Sequence, residues 1–105
     1  MIKYTIYNGE IINDGGLNVG WIDENITSSL ECLAAIKSIL EAHKHSFVVG
    51  SFSSAFKTSP AEPYIRENEL GIFISGKLDD MNYAYFSKEM HCHKLCANAV
   101  LKVIA

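Results

Sequence analysis

The densest group of reactive side chains is His91-Cys92-His93-Lys94-Leu95-Cys96, which puts two imidazoles and two thiols within six residues. These are the borderline-soft donors that zinc and copper take, and His43 and His45 offer a second pair. The spacing differs from zinc signatures, in which a defined loop separates two ligand pairs. With a helix beginning near Cys92, Cys92 and Cys96 stack on its apolar stripe beside Leu95, Ala99 and Val103. A thiol there acts as a small hydrophobe and, without a cationic neighbour, stays protonated. Core thiols are therefore the expectation, and a metal set of His91, His93 and Cys96 is the alternative. His43 and His45 fall at the last turn of an earlier helix, where a protonated ring meets the carbonyl end of the dipole. His91 and His93 fall at a helix start, which favours the neutral ring.

Other chemistries find less support. Gly50-Ser51-Phe52-Ser53-Ser54 is rich in hydroxyls but lacks the Gly-x-Ser-x-Gly elbow of a serine nucleophile. Gly15-Gly16 and Gly20 precede neither a helix start nor a Lys-Ser/Thr pair, so they do not form a phosphate loop. Asp23-Glu24 and Asp79-Asp80 are adjacent carboxylates, which usually diverge and read as solvated turn acids. No catalytic motif and no cofactor signature stands out, so the expectation is a protein that is not an enzyme.

The charge distribution is more informative. The chain of 105 residues has a formal net charge of −3, and its pI near 5.7 argues against nonspecific nucleic-acid binding. Residues 59–80 hold Glu62, Glu67, Glu69, Asp79 and Asp80 against Arg66 and Lys77, so the whole excess lies there. Pro60, Pro63, Tyr64 and Phe73 are interleaved with these charges. Acidic loops carrying aromatic residues steer toward and dock on a basic surface, and tyrosine supplies contact area at low entropy cost. The candidate partner-binding residues are Glu62, Tyr64, Glu67, Glu69, Asp79 and Asp80.

These residues need a scaffold, and its elements can be read from periodicity. Ile2, Tyr4 and Ile6 alternate with Lys3, Thr5 and Tyr7 as in a strand. Asn8-Gly9 suits a two-residue hairpin turn, Glu10-Ile11-Ile12 returns, and Leu17–Ile22 makes a third strand. Ser28 and Glu31 have capping-box spacing ahead of a helix from about Ser29 to Ala42 or His43, with Leu30, Leu33, Ile36, Ile39 and Leu40 as its stripe. Strands are expected from Ser46 to Phe56, over Leu70–Ser75 and over Tyr83–Ser87, with Tyr64-Ile65 a doubtful edge segment. A second helix runs from about Cys92 to Ile104, burying Leu95, Cys96, Ala99, Val100 and Val103. The expected fold is one α+β domain over residues 1–105. An antiparallel sheet of five to six strands in the order β-β-β-α-β-β-β-α carries two amphipathic helices on one face, a two-layer sandwich. Its expected core is Ile6, Trp21, Leu33, Ile36, Leu40, Val49, Phe73, Leu95, Ala99 and Val103.

No run approaches a membrane span, the N-terminus lacks the apolar region of a signal peptide, and three cysteines cannot all pair within one chain. A cytoplasmic protein is expected. The profile is that of a non-catalytic protein-binding module, most of all a small acidic neutralising inhibitor of the toxin-immunity or anti-defence kind. Such an inhibitor masks a basic cleft on a partner protein such as a toxin nuclease, with no direct nucleic-acid or membrane contact. The comparison is one of size and charge, and no motif carries a family resemblance. Two alternatives stand beside it: the metal protein using His91, His93 and Cys96, and an assembly subunit that forms a homodimer through an open sheet face bearing Tyr7, Tyr83 and Tyr85.

Overall fold

Asn8 and Gly9 reverse the chain with both residues at positive φ, 52° and 82°, so that Tyr7 faces Glu10 across the expected two-residue turn. A side chain at Gly9 would also meet the Ile22 carbonyl at 2.9 Å. In the computed structural model, which describes residues 1–53 and 56–105, this turn joins β1 (Lys3–Tyr7) to β2 (Glu10–Ile12), and β3 (Asn18–Ile22) completes a meander. The chain continues as α1 (Ser29–Ala42), β4 (Ser46–Ser51), β5 (Pro63–Glu67), β6 (Gly71–Gly76), β7 (Asn82–Ser87) and α2 (His93–Ile104). The strand expected to continue to Phe56 ends at Ser51; Ser54 and Ala55, part of that expectation and of the hydroxyl run, lie outside the described residues.

All seven strands join one sheet in the order β4-β1-β2-β3-β7-β6-β5. The architecture is α+β as expected, with two refinements. The doubtful segment around Tyr64 is a full strand, paired along its length with β6 from Pro63↔Gly76 to Glu67↔Ile72. The sheet is also not wholly antiparallel, because β4 returns from α1 parallel to β1, the geometry that a helical crossover permits and a hairpin does not. Among the described residues no helix is long and apolar enough to cross a membrane.

Paired residues share a sheet face. The row Ile6, Ile11, Gly20, Phe86 and Ile72 lies under the helices and is buried throughout. Gly20 is required in that row, since any Cβ there would collide with the Tyr85 carbonyl. The next row, Tyr7, Glu10, Trp21, Tyr85, Phe73 and Arg66, faces away from the helices. Trp21 and Phe73, expected in the core, are therefore half-buried residues of the uncovered face. Val49 is also a correction: it pairs with buried Ile6 but sits on the outermost strand and is 48% exposed.

The helices pack against each other and against the sheet. In α1 the stripe Cys32, Leu33, Ile36 and Leu40 is buried, while Leu30 is exposed. Ser28 precedes α1 at φ −99°, ψ 22° and makes no side-chain cap. The expected capping box is absent because an Ncap side chain reaches the first-turn amides from extended backbone. In α2 the buried stripe is Cys96, Ala97, Val100 and Ile104, rotated from the expected one. Leu95 is left 48% exposed, and Ala99 and Val103 are half-buried.

Candidate functional site

The six candidate partner-binding residues all lie on the β5–β6–β7 side of the sheet, in two groups. Glu62 precedes β5 and its carbonyl accepts the Lys77 N–H at 3.2 Å. This brings the start of β5 beside the β6–β7 turn that holds Asp79 and Asp80. Tyr64 lies in the same group, with the Lys77 ammonium 5.7 Å from its ring centroid. Glu67 and Glu69 stand at the other end of β5, roughly 17 Å of extended chain away. The hairpin divides the acidic segment that is continuous in sequence, leaving a rim with a carboxylate group at each end.

One carboxylate serves the structure as well. Asp79 accepts hydrogen bonds from the Met81 N–H at 3.0 Å and from the Tyr83 hydroxyl. These bonds, the Tyr83 one foremost, hold its carboxyl below the usual carboxylate range. The Tyr83 hydroxyl in turn accepts the Ala61 N–H at 3.0 Å, and Tyr83 is only 4% exposed. This tyrosine ties the β6–β7 turn to the segment before β5.

Sequence reasoning missed the apolar side chains within these turns. Leu70, beside Glu69, is 66% exposed, and Leu78 and Met81, on either side of Asp79-Asp80, are 73% and 52% exposed. For Leu78 and Met81 the signal was readable: a large apolar residue among turn acids has no strand or helix to bury it. Both bases of the acidic segment are held over rings. Lys77 lies over Tyr64. The Arg66 guanidinium is 4.8 Å from the Phe73 centroid and donates to Asn82 at 3.2 Å, while Asn82 also accepts from Ser75 at 2.7 Å. Phe73 stacks on Tyr85 at 4.5 Å, so much of the uncovered face is occupied by its own side chains. Of the three tyrosines expected there, Tyr7 and Tyr85 are on that face and Tyr83 is not exposed.

The histidine and cysteine cluster comes together only in part. Cys96 is fully buried in the core, and burial pushes its thiol up to about 12. Cys92 precedes α2 in the left-handed region at φ 63° and is half-buried. The His91 ring lies against that of His45, tilted by 31° with centroids 4.8 Å apart, and the His91 backbone N–H donates to the Tyr4 hydroxyl at 3.0 Å. His93 starts α2 with its Nε2 buried and unpartnered; burial, then Lys94, lowers its pKa. Among the described residues no three His, Cys, Asp or Glu are grouped to hold a metal ion, so the alternative set His91, His93 and Cys96 is not assembled.

The two histidines after α1 behave differently from each other. His43 Nδ1 lies 3.0 Å from the Ile39 carbonyl, the helix-end contact expected. His45 instead accepts the Ile2 N–H at Nδ1, 3.1 Å away, which requires that nitrogen to be unprotonated. Burial first, then the neighbouring His91, lowers its pKa. The remaining candidates are local contacts: Asp23 accepts the Asn25 N–H, Glu24 accepts the Ser53 N–H, and Ser51 donates to Asn8 at 3.3 Å.

No protein-family model matches this chain, and neither a curated protein nor a solved structure is similar enough to it to match.

Proposed function

We propose that the chain is a non-catalytic protein-binding module that covers a basic surface of a partner protein with its β5–β6–β7 rim. The observation that carries this reading is the mixture within the two turns. Leu70 projects beside Glu69, and Leu78 and Met81 project around Asp79 and Asp80. Carboxylates set association rate and specificity through the long-range field. Exposed apolar side chains supply the desolvated contacts that slow dissociation. A rim with carboxylates at both ends and apolar anchors among them fits a concave basic surface. The phosphate-binding cleft of a nuclease is the class that suits it best, and occluding such a cleft requires no chemistry from the inhibitor.

The experiment compares the wild-type chain with Glu67→Lys/Glu69→Lys and with Leu78→Asp, each as bait in extract of the native host and then against the purified partner. The expected partner is basic, and its affinity falls about tenfold or more in the double reversal, with a shallower salt dependence. The thermal midpoint stays at the wild-type value, since both glutamates are exposed. Unchanged affinity in the double reversal overturns the reading.

A further inference from the structure

We infer that β4 is a self-pairing edge, through which two copies of the chain join antiparallel about a two-fold axis at Val48 to make one continuous sheet. β4 reads Ser46-Phe47-Val48-Val49-Gly50-Ser51, six residues without a charge or a proline, although the chain as a whole carries −3. Its sheet partner is β1. Val48 and Val49 are 43% and 48% exposed, and neighbouring Gly50 is exposed as well. An uncharged apolar outer strand is a template for another strand. The opposite edge does not offer one: β5 begins with Pro63 and presents Arg66 and Glu67. Addition of β4 to β5 in an endless ribbon is therefore disfavoured, and the closed solution is β4 with itself.

Backbone and side chains select the same register. The Ser46 N–H is bonded to the carbonyl of Ile2, just before β1. Alternation along the strand then turns the N–H and C=O of Phe47 and Val49 outward. Setting Val48 against Val48 of the second copy places Phe47 opposite Val49, so each outward-facing pair exchanges both of its hydrogen bonds. Phe47 pairs with Tyr4 and Val49 with Ile6, both on the helix face, while Val48 pairs with Thr5 on the other face. In this register apolar meets apolar on both faces, and Val49 gains the cover it lacks in one copy. A register shifted by one residue would set helix-face residues against open-face residues. Gly50 is the extra residue where the β1–β4 register shifts, so the regular edge ends there and the pairing is pinned at Ser46–Val49.

This inference is independent of the acidic rim, which lies at the other edge of the sheet.

The test is sedimentation of the wild-type chain over a concentration series, with Val48→Lys and Leu78→Asp run in parallel. A paired strand this short predicts a weak dimer, with Kd about 10–100 µM. Val48→Lys sets like charges face to face on the axis and should leave only monomer, while Leu78→Asp dimerises as wild type does. Val48 is exposed, and an unchanged circular dichroism spectrum will show that the variant folds. In a mixed-label sample, a nuclear Overhauser contact between Val48 methyls of different copies places the axis directly. A wild-type monomer at about 1 mM overturns the proposal and leaves the edge free or taken by a strand of another protein. A dimer unchanged by Val48→Lys overturns it.

Discussion

β4 and β5 occupy equivalent positions, each the outermost strand of the sheet with a helix packed against it, yet they are held by different forces. β4 is fastened by Phe47, 2% exposed, and carries no charge. β5 has no fully buried residue and is held by its ladder to β6, by Arg66 over Phe73 and by Lys77 over Tyr64. An edge stabilised by burial leaves its backbone groups available to another strand. An edge stabilised by charged and aromatic contacts repels strands and remains open to charged surfaces. Two kinds of interaction are thus kept at opposite ends of one small sheet.

The largest expected effect comes from removing the β4 fastening. Phe47→Ala should cost about 3–5 kcal/mol in urea unfolding, whereas Ile65→Ala, at a half-buried position on β5, should cost about 1–2 kcal/mol. Equal losses would show that the two edges are held alike. Next is Tyr83→Phe, which leaves the Ala61 N–H without its acceptor and frees Asp79. A loss of about 0.5–1.5 kcal/mol is expected by the same measurement. No loss would remove Tyr83 as the tie at the acidic end.

Acidification should weaken the fold through two half-buried imidazoles. His45 and His93 both have pKa values below the ordinary one in the folded chain, so folding favours their neutral rings. Their contribution is complete above the unfolded value of about 6.5 and is lost as pH falls from there through the folded values, because the unfolded chain then binds more protons. The unfolding midpoint should fall between about pH 7.5 and pH 5, and a His45→Gln/His93→Gln variant should show a flatter profile. The smallest effect concerns reactivity alone. Cys32 and Cys96 are fully buried with thiols pushed up to about 12, so an alkylating reagent should modify half-buried Cys92 first and reach the other two only on unfolding.

Local structure was legible in the sequence because its causes are local. Asn8-Gly9 fixed a hairpin, and the spacing of Leu33, Ile36 and Leu40 fixed a helix with its buried side. Periodicity marked β3, β6 and β7 as strands but could not say which face the helices cover, so Trp21 and Phe73 were expected inside. Edge status is a property of the assembled sheet, which is why Val49 looked like core. In α2 the apolar Leu95 misled: the buried side shares Cys96 and Val100 with the expected stripe but turns toward Ala97 and Ile104, leaving Leu95 exposed. The acidic segment was legible as a charge excess; its division into two groups follows from the β5–β6 hairpin, and the expected strand at Tyr64 was too short to reveal it.

The parallel seam between β1 and β4 bears on how the chain assembles during synthesis. One side of β1 finds its neighbour immediately through the Asn8-Gly9 turn, whereas the other side must wait for a segment more than forty residues later, as the Ile2–His45 bond spans a separation of 43. Until α1 has left the ribosome, the nascent N-terminal meander exposes the flank of its first strand. Any delay in elongation at that stage prolongs the interval in which a neighbouring chain could occupy the place reserved for β4.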